Sequence, residues 1–170
     1  MVNFSPQQGH EIKGPHYAIT ITKKDQPYIA TLTVIPLTSK GKKYLTSLGT
    51  WFGDSMVKMI QKKLDDHVTE LLQLQSELIS IGPDNFKDET VITFNKKIEI
   101  EKLNQNELKE LTTKYKDIQK ASFANVYQIT TIDKSRIISP INKFDPIQDI
   151  RVPNYVMDKI DEEIKRLFIK

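Results

Sequence analysis

Two imidazoles, His10 and His16, lie six residues apart in the run Gly9-His10-Glu11-Ile12-Lys13-Gly14-Pro15-His16. Glycine and proline punctuate that run, so it reads as a loop. A reference pKa of about 6.5 lets one histidine ring take a proton while another gives one near neutral pH. Twenty-odd residues on, Thr38-Ser39-Lys40 closes the apolar run Val34-Ile35-Pro36-Leu37. Two hydroxyls beside an ammonium can donate to a phosphate oxygen. The two groups together can handle protons and grip a phosphate, and no other part of the chain offers comparable chemistry. The bland reading is a pair of exposed loop imidazoles and an ordinary polar strand end. Glu11 either orients His10, accepts from a base edge, or is a solvated loop acid.

These groups need a frame. Tyr17-Ala18-Ile19-Thr20-Ile21-Thr22 and residues 28–37 alternate apolar and β-branched residues around the polar turn Lys23-Lys24-Asp25-Gln26-Pro27. The pattern predicts two consecutive strands, antiparallel to each other. Residues 2–4 read as the tail of an earlier strand. After Gly53 neither glycine nor proline recurs until Gly82-Pro83, and Asp54 is a plausible N-cap. Val57, Leu64, Leu71 and Leu78 recur every seventh residue, with Ile60, His67, Leu74 and Ile81 as a second set. That is a heptad seam. His67 occupies a seam position, which favours packing or partner contact over catalysis.

A second helix is expected from Asn104 to about residue 121, with Glu107 completing a capping box. Thr90-Val91-Ile92-Thr93-Phe94 and Lys97-Ile98-Glu99-Ile100 read as short strands between the helices. Strand character returns at 124–131, and a last helix from about Pro153 carries Val156, Met157, Ile160, Ile164 and Leu167 on one face. The reading is therefore one α+β domain over 1–170, β-rich at both ends. A helical hairpin over 53–121 is inserted within it, and a helix closes the chain.

The 170 residues are 38% hydrophobic and 28% charged, which suits one domain or one domain with a large insertion. No apolar run approaches the roughly 20 residues of a membrane span, and a basic-then-apolar leader is lacking, so a cytoplasmic protein is expected. The absence of cysteine excludes disulfides and thiolate chemistry. Three histidines without cysteines give no expectation of a metal, and no cofactor is expected. A net charge of +3 is too mild to signal nucleic acid by itself, so an RNA site would have to be a local concentration of charge.

Three pieces of the chain resemble one family. Phe4-Ser5-Pro6 through Gly9-His10-Glu11, Gly14 and His16 looks like a loop after a first strand; Thr33 to Ser39 looks like a strand ending in a Thr-Ser pair. Gln128-Ile129-Thr130-Thr131-Ile132-Asp133-Lys134-Ser135-Arg136-Ile137 is similar to a "Q-x-R-T-I-D-K-x-R-L" strand. The family is that of the MazF/PemK (Kid-like) toxins of type II toxin–antitoxin systems, and the closing helix with Met157-Asp158-Lys159-Ile160 also fits it.

The resemblance implies an SH3-like β-barrel with the helical hairpin inserted and a C-terminal helix. It also implies a homodimer that cuts single-stranded RNA without a metal and is neutralised by an antitoxin. Thr38 falls on the family's catalytic threonine, His10 on a histidine of Kid-like members, and His16 where other members use arginine. His16, Thr38 and His10 are thus the implied catalytic residues, leaving 2′,3′-cyclic phosphate and 5′-hydroxyl ends. Glu11, Ser39, Lys40, Gln128, Lys134 and Arg136 are the implied substrate contacts, though for Gln128 and Thr131 pairing within the barrel is the preferred reading. Tyr28, Trp51 and Phe52 could stack bases, but Trp51-Phe52 also reads as the anchor of the long helix.

Asn125 and Tyr127 stand where Kid-like members place an arginine and an acid, and Thr130 replaces the motif's own arginine. Those departures support a rival: a non-catalytic barrel that binds RNA or a protein. A gyrase inhibitor on the same barrel is a third reading.

Overall fold

Short strands form where β-branched and apolar residues alternate, and the structure, a computed structural model, describes residues 1–4, 9–81, 88–115, 118 and 120–169. Ser5 and Pro6 of the first motif, and Gly82-Pro83, lie outside the described residues. Five strands come first: β1 (Val2–Asn3), β2 (Pro15–His16), β3 (Ala18–Thr20), β4 (Thr31–Thr38) and β5 (Thr46–Gly49). Helices α1 (Trp51–Ile81) and α2 (Asp88–Tyr115) follow, then β6 (Ser122–Ala124), β7 (Thr130–Asp133) and helix α3 (Asn154–Phe168). The class is mixed α and β.

β4 organises the larger sheet. Its central residues Val34, Ile35, Pro36 and Leu37 are all buried, which fixes its register against every neighbour. β3 pairs antiparallel with it (Ala18 opposite Pro36, Thr20 opposite Val34). β7 pairs with its first half, Thr31 opposite Asp133, and β6 with its last residues, Thr38 opposite Phe123. β5 lies outside β6. The second sheet is the β1–β2 pair, with Val2 opposite His16.

Neither sheet closes on itself among the described residues, so the expected closed barrel is not seen as such. An isolated bridge, Val2 to Ile137, does tie the small sheet to the segment after β7. Val2, Phe4, Val34 and Ile132 form a buried cluster, with Ile12, Ala18 and Leu32 packed on it.

The strand expected over 124–131 breaks in two. The N–H of Asn125 donates to the carbonyl of Pro36, and Gln128 N–H returns to Asn125 O, closing a 3₁₀ turn at Val126–Gln128. α3 packs on β5 and on this turn, burying Val156 and Ile160 as the periodicity predicts. Pro153 precedes the helix, and its carbonyl accepts from Val156 and Met157.

The chain divides into two compact units, residues 1–56 with 118–170, and residues 57–117. α1 begins at Trp51 rather than after Asp54. Asp54 lies in its first turn, where its carboxylate accepts from the Thr50 hydroxyl at 2.7 Å.

Within residues 57–117, α1 and α2 run antiparallel, as the pairs Glu77–Lys97 (2.6 Å) and His67–Glu101 (3.1 Å) require. Here three expectations fail. Residues 90–94 and 97–100 are helix, not strands: Phe94 is buried on the same face as Asn104, Leu108, Leu111 and Tyr115. Helical burial of that stripe overrides the β preference of Thr90-Val91-Ile92-Thr93. Asn104 is consequently mid-helix and buried, and caps nothing. Of the first heptad set, Val57, Leu71 and Leu78 are between 37% and 39% exposed, and Leu64 is half-buried. Ile60, His67, Leu74 and Ile81 face inward instead. No described helix is long and apolar enough to cross a membrane.

Candidate active site

Gly9 and Gly14 hold positive φ values of +62° and +75°, a region that costs other L-residues about 1–2 kcal/mol. The second of these bends the loop back so that its carbonyl accepts from Phe4 N–H at 2.9 Å. β2 then delivers His16, half-buried, with the Phe4 ring edge-on at 6.4 Å. Its Nδ1 donates to the carbonyl of Leu37 at 3.2 Å. A carbonyl can only accept, so this bond requires the proton on Nδ1 and leaves the lone pair of the neutral ring on Nε2.

Leu37 is the hinge of the arrangement. Its N–H donates to Tyr17 O at 2.7 Å while its carbonyl takes the His16 ring. Thr38 follows directly, at the end of β4. The backbone N–H of Lys40 donates to Thr38 Oγ1 at 3.1 Å, which uses an oxygen lone pair and leaves the hydroxyl hydrogen available to a ligand. Ser39 and Lys40 are exposed in the bend that follows. Gly41 then passes so close to Phe123 that a Cβ there would stand 2.8 Å from the ring's Cζ.

Gln128 anchors the other side of the loop. Its Oε1 accepts from Ile12 N–H at 3.0 Å and its Nε2 donates to His10 O at 3.0 Å. The amide thus pairs with the loop as a strand neighbour would. The His10 side chain is exposed, as is Glu11 between the two anchored residues. The structure brings His16, Thr38, Ser39 and Lys40 to one end of β4. Gln128 ties the His10 backbone to the turn that leaves that same end.

Lys134 is elsewhere. Its Nζ meets Asp25 at 2.6 Å and Gln26 O at 3.0 Å, and its N–H bonds Ala30 O. That is the Thr31 end of β4, roughly 20 Å along the strand from Thr38 at about 3.3 Å per residue. Arg136 lies closer, because Ile137 bridges Val2, whose other partner is His16. Two strand spacings amount to about 10 Å. Thr131 pairs its hydroxyl with that of Thr33 at 3.4 Å. The Ser135 side chain and then its backbone N–H hold the Asp133 carboxyl below the usual carboxylate range.

Two aromatic residues emerge that the sequence reading did not assign to binding. Tyr44 and Tyr127 are 48% and 51% exposed and meet edge to face at 5.9 Å. Lys42 Nζ stands 5.7 Å above the Tyr44 ring. Glu163 first, and Tyr127 after it, hold the Arg166 guanidinium further above its already high pKa. The available signal was the run Gly41-Lys42-Lys43-Tyr44, basic residues with an aromatic at its end. Tyr28, by contrast, is 85% exposed, while Trp51 and Phe52 are buried and meet edge to face, and Phe52 also packs against Tyr17. Tyr17, Leu37, Trp51 and Phe52 line an apolar cleft of ≈ 400 Å³.

The family model of the PemK-like, MazF-like toxin of type II toxin–antitoxin systems matches residues 1–73. The match covers the loop of His10, the His16 strand and Thr38, and it supports the resemblance carried by those motifs. Comparison with curated proteins and with solved structures gives no significant match.

Proposed function

We propose that this chain is the toxin of a type II toxin–antitoxin system and that it cleaves single-stranded RNA by metal-independent transesterification. The observation that carries this reading is the joint held by Leu37: an imidazole with its free nitrogen defined, next to a threonine whose hydroxyl hydrogen is unspent. In the proposed reaction His16 Nε2 takes the proton from the 2′-hydroxyl, and the 2′-oxygen attacks phosphorus. The bond from phosphorus to the 5′-oxygen breaks, and His10 in its charged form protonates the leaving oxygen. Products are a 2′,3′-cyclic phosphate and a 5′-hydroxyl. Thr38 and Lys40 stabilise charge on the phosphorane oxygens, while Ser39, Glu11 and Arg136 contact the flanking nucleotides. Gln128 acts by holding the His10 loop, and Lys134 by holding the 23–27 turn.

The implied architecture is one MazF/PemK-like domain over 1–170 with 53–121 inserted, its β part a small SH3-like barrel. The Val2–Ile137 bridge and the bond from Ile138 N–H to Met1 O favour that description. The implied partners are an RNA strand, an antitoxin and a second copy of the chain, in the cytoplasm. The Tyr44–Tyr127 pair favours one alternative, a barrel that stacks RNA bases without cutting.

Incubation of the purified chain with a long single-stranded RNA in EDTA separates the two. Nuclease action gives cyclic-phosphate ends at a short recurring motif, lost in His16→Ala. Binding without cleavage by intact protein selects the alternative.

A further inference from the structure

The most unusual side chain outside this site is His67. It is 6% exposed, on the inward face of α1. Its Nδ1 lies 3.1 Å from Glu101 Oε2, across the helix pair, yet neither ring nitrogen makes a directional hydrogen bond. The contact satisfies an ion pair by distance and fails a hydrogen bond by direction. Buried polar atoms left in that state are rare and ask for an explanation. Glu70, three residues further along α1, shares the face of His67. One ligand-type atom from each of His67, Glu70 and Glu101 lies within 4.8 Å of the other two.

We propose that His67, Glu70 and Glu101 form a binding site for one divalent transition-metal ion, with Zn²⁺ the fitting ion, that clamps α1 to α2. One imidazole and two carboxylates form a donor set that zinc accepts, with a fourth position left for water. Calcium or magnesium would favour oxygen donors alone. Ligand atoms of a tetrahedral zinc site stand about 3.3 Å apart, so His67 and Glu101 already have the required spacing. Glu70 is exposed and free to close the remaining distance. Asn104 Nδ2 reaches both oxygens of Glu101, at 3.3 and 3.4 Å, the kind of outer contact that orients a metal-binding carboxylate.

Access exists from two sides. One cleft is lined by Glu70 and Glu101, a second by His67 and Glu101. Lys97, beside the first, is spent on Glu77 at 2.6 Å and does not neutralise Glu70. The expectation of no metal rested on composition; what changes it is the antiparallel helix pair, which supplies the third ligand. This inference is independent of the RNA chemistry, since all three residues lie in the 57–117 unit.

The test is calorimetric titration of the full, metal-free, untagged chain with Zn²⁺, beside His67→Gln, Glu70→Gln and Glu101→Gln. His67→Gln keeps His10 and His16, so any zinc bound at the loop is measured there and subtracted. One equivalent of His67-dependent binding is expected, at least tenfold weaker in each glutamine variant, with zinc raising the melting temperature of the wild type. Glu70 is exposed, so its replacement leaves folding intact and provides the deciding comparison. Equal binding by wild type and Glu70→Gln, or none in either, would overturn the site and leave His67–Glu101 as a contact between the two helices alone.

Discussion

His16 and Leu37 are joined ring to carbonyl: Nδ1 donates to Leu37 O over 3.2 Å, and the residue after Leu37 is Thr38. The bond does two things at once. It selects the tautomer with Nε2 free, and it fixes the ring to the strand that also positions the hydroxyl. In the proposed reaction the ring is the base and the hydroxyl the phosphate donor, and tying both to one stretch of strand keeps the proximity that such a step requires.

His16→Ala is therefore expected to lower the single-turnover cleavage rate by about 10²–10⁴-fold, the usual worth of a positioned acid–base group. His10→Ala should also lower the cleavage rate, since the proposed reaction assigns that ring the proton for the leaving oxygen. Circular dichroism on both variants checks that the fold survives. A rate unchanged in His16→Ala would remove the ring from the chemistry.

Gln128 is expected to act through the loop, not on substrate. Gln128→Ala removes two hydrogen bonds of about 1 kcal/mol each, releasing Ile12 N–H as a donor and the His10 carbonyl as an acceptor. Amide exchange at Ile12 should accelerate at least fivefold while β4 amides keep their protection. Cleavage should fall with kcat and leave KM nearly unchanged. A pure KM effect would instead put Gln128 on the RNA.

Strand pattern made much of the β part legible, because residues 17–22 and 28–37 mix apolar and β-branched residues around a polar turn, although β4 buries Val34 through Leu37 as a continuous run rather than with period two. The same logic misread α2. Thr90-Val91-Ile92-Thr93 has strand preferences, and only the stripe from Phe94 through Asn104 to Tyr115, buried in the fold, outweighs them. Of the candidate site residues, His16 is bonded to the carbonyl of Leu37, the residue before Thr38, at one end of β4. What spacing could not carry was the Gln128 amide bonded to a loop more than a hundred residues earlier, or Lys134 turned to Asp25. Such pairings depend on tertiary register. The Tyr44–Tyr127 contact was hidden for the same reason.

Gly41 is expected to couple to Phe123. An added Cβ, 2.8 Å from the ring's Cζ, forces the ring to tilt, and such overpacking costs about 1–3 kcal/mol. Phe123→Leu removes the obstacle. In denaturant melts the double variant should be less destabilised than the sum of the singles by about 1 kcal/mol. Because Phe123 stands opposite Thr38, Gly41→Ala should also slow cleavage, and the second substitution should restore part of it. Strict additivity would mean that the loop accommodates alanine without touching the ring.

Asp133 sets an acid limit on the turn that follows β7. Its Oδ1 accepts from Ser135 N–H at 2.8 Å, and the Ser135 side chain and backbone together hold its carboxyl below the usual range. A carboxyl depressed on folding contributes stability that is present above its unfolded pKa, about 3.9, and is lost as pH falls through the lower folded value. Asp133→Asn keeps an oxygen acceptor but cannot titrate. Stability measured by urea unfolding between pH 5 and pH 2.5 should therefore fall less steeply in Asp133→Asn than in wild type. The two curves should differ most above pH 4 and converge toward the acid end. Parallel curves across that range would show that the carboxylate contributes nothing to the turn.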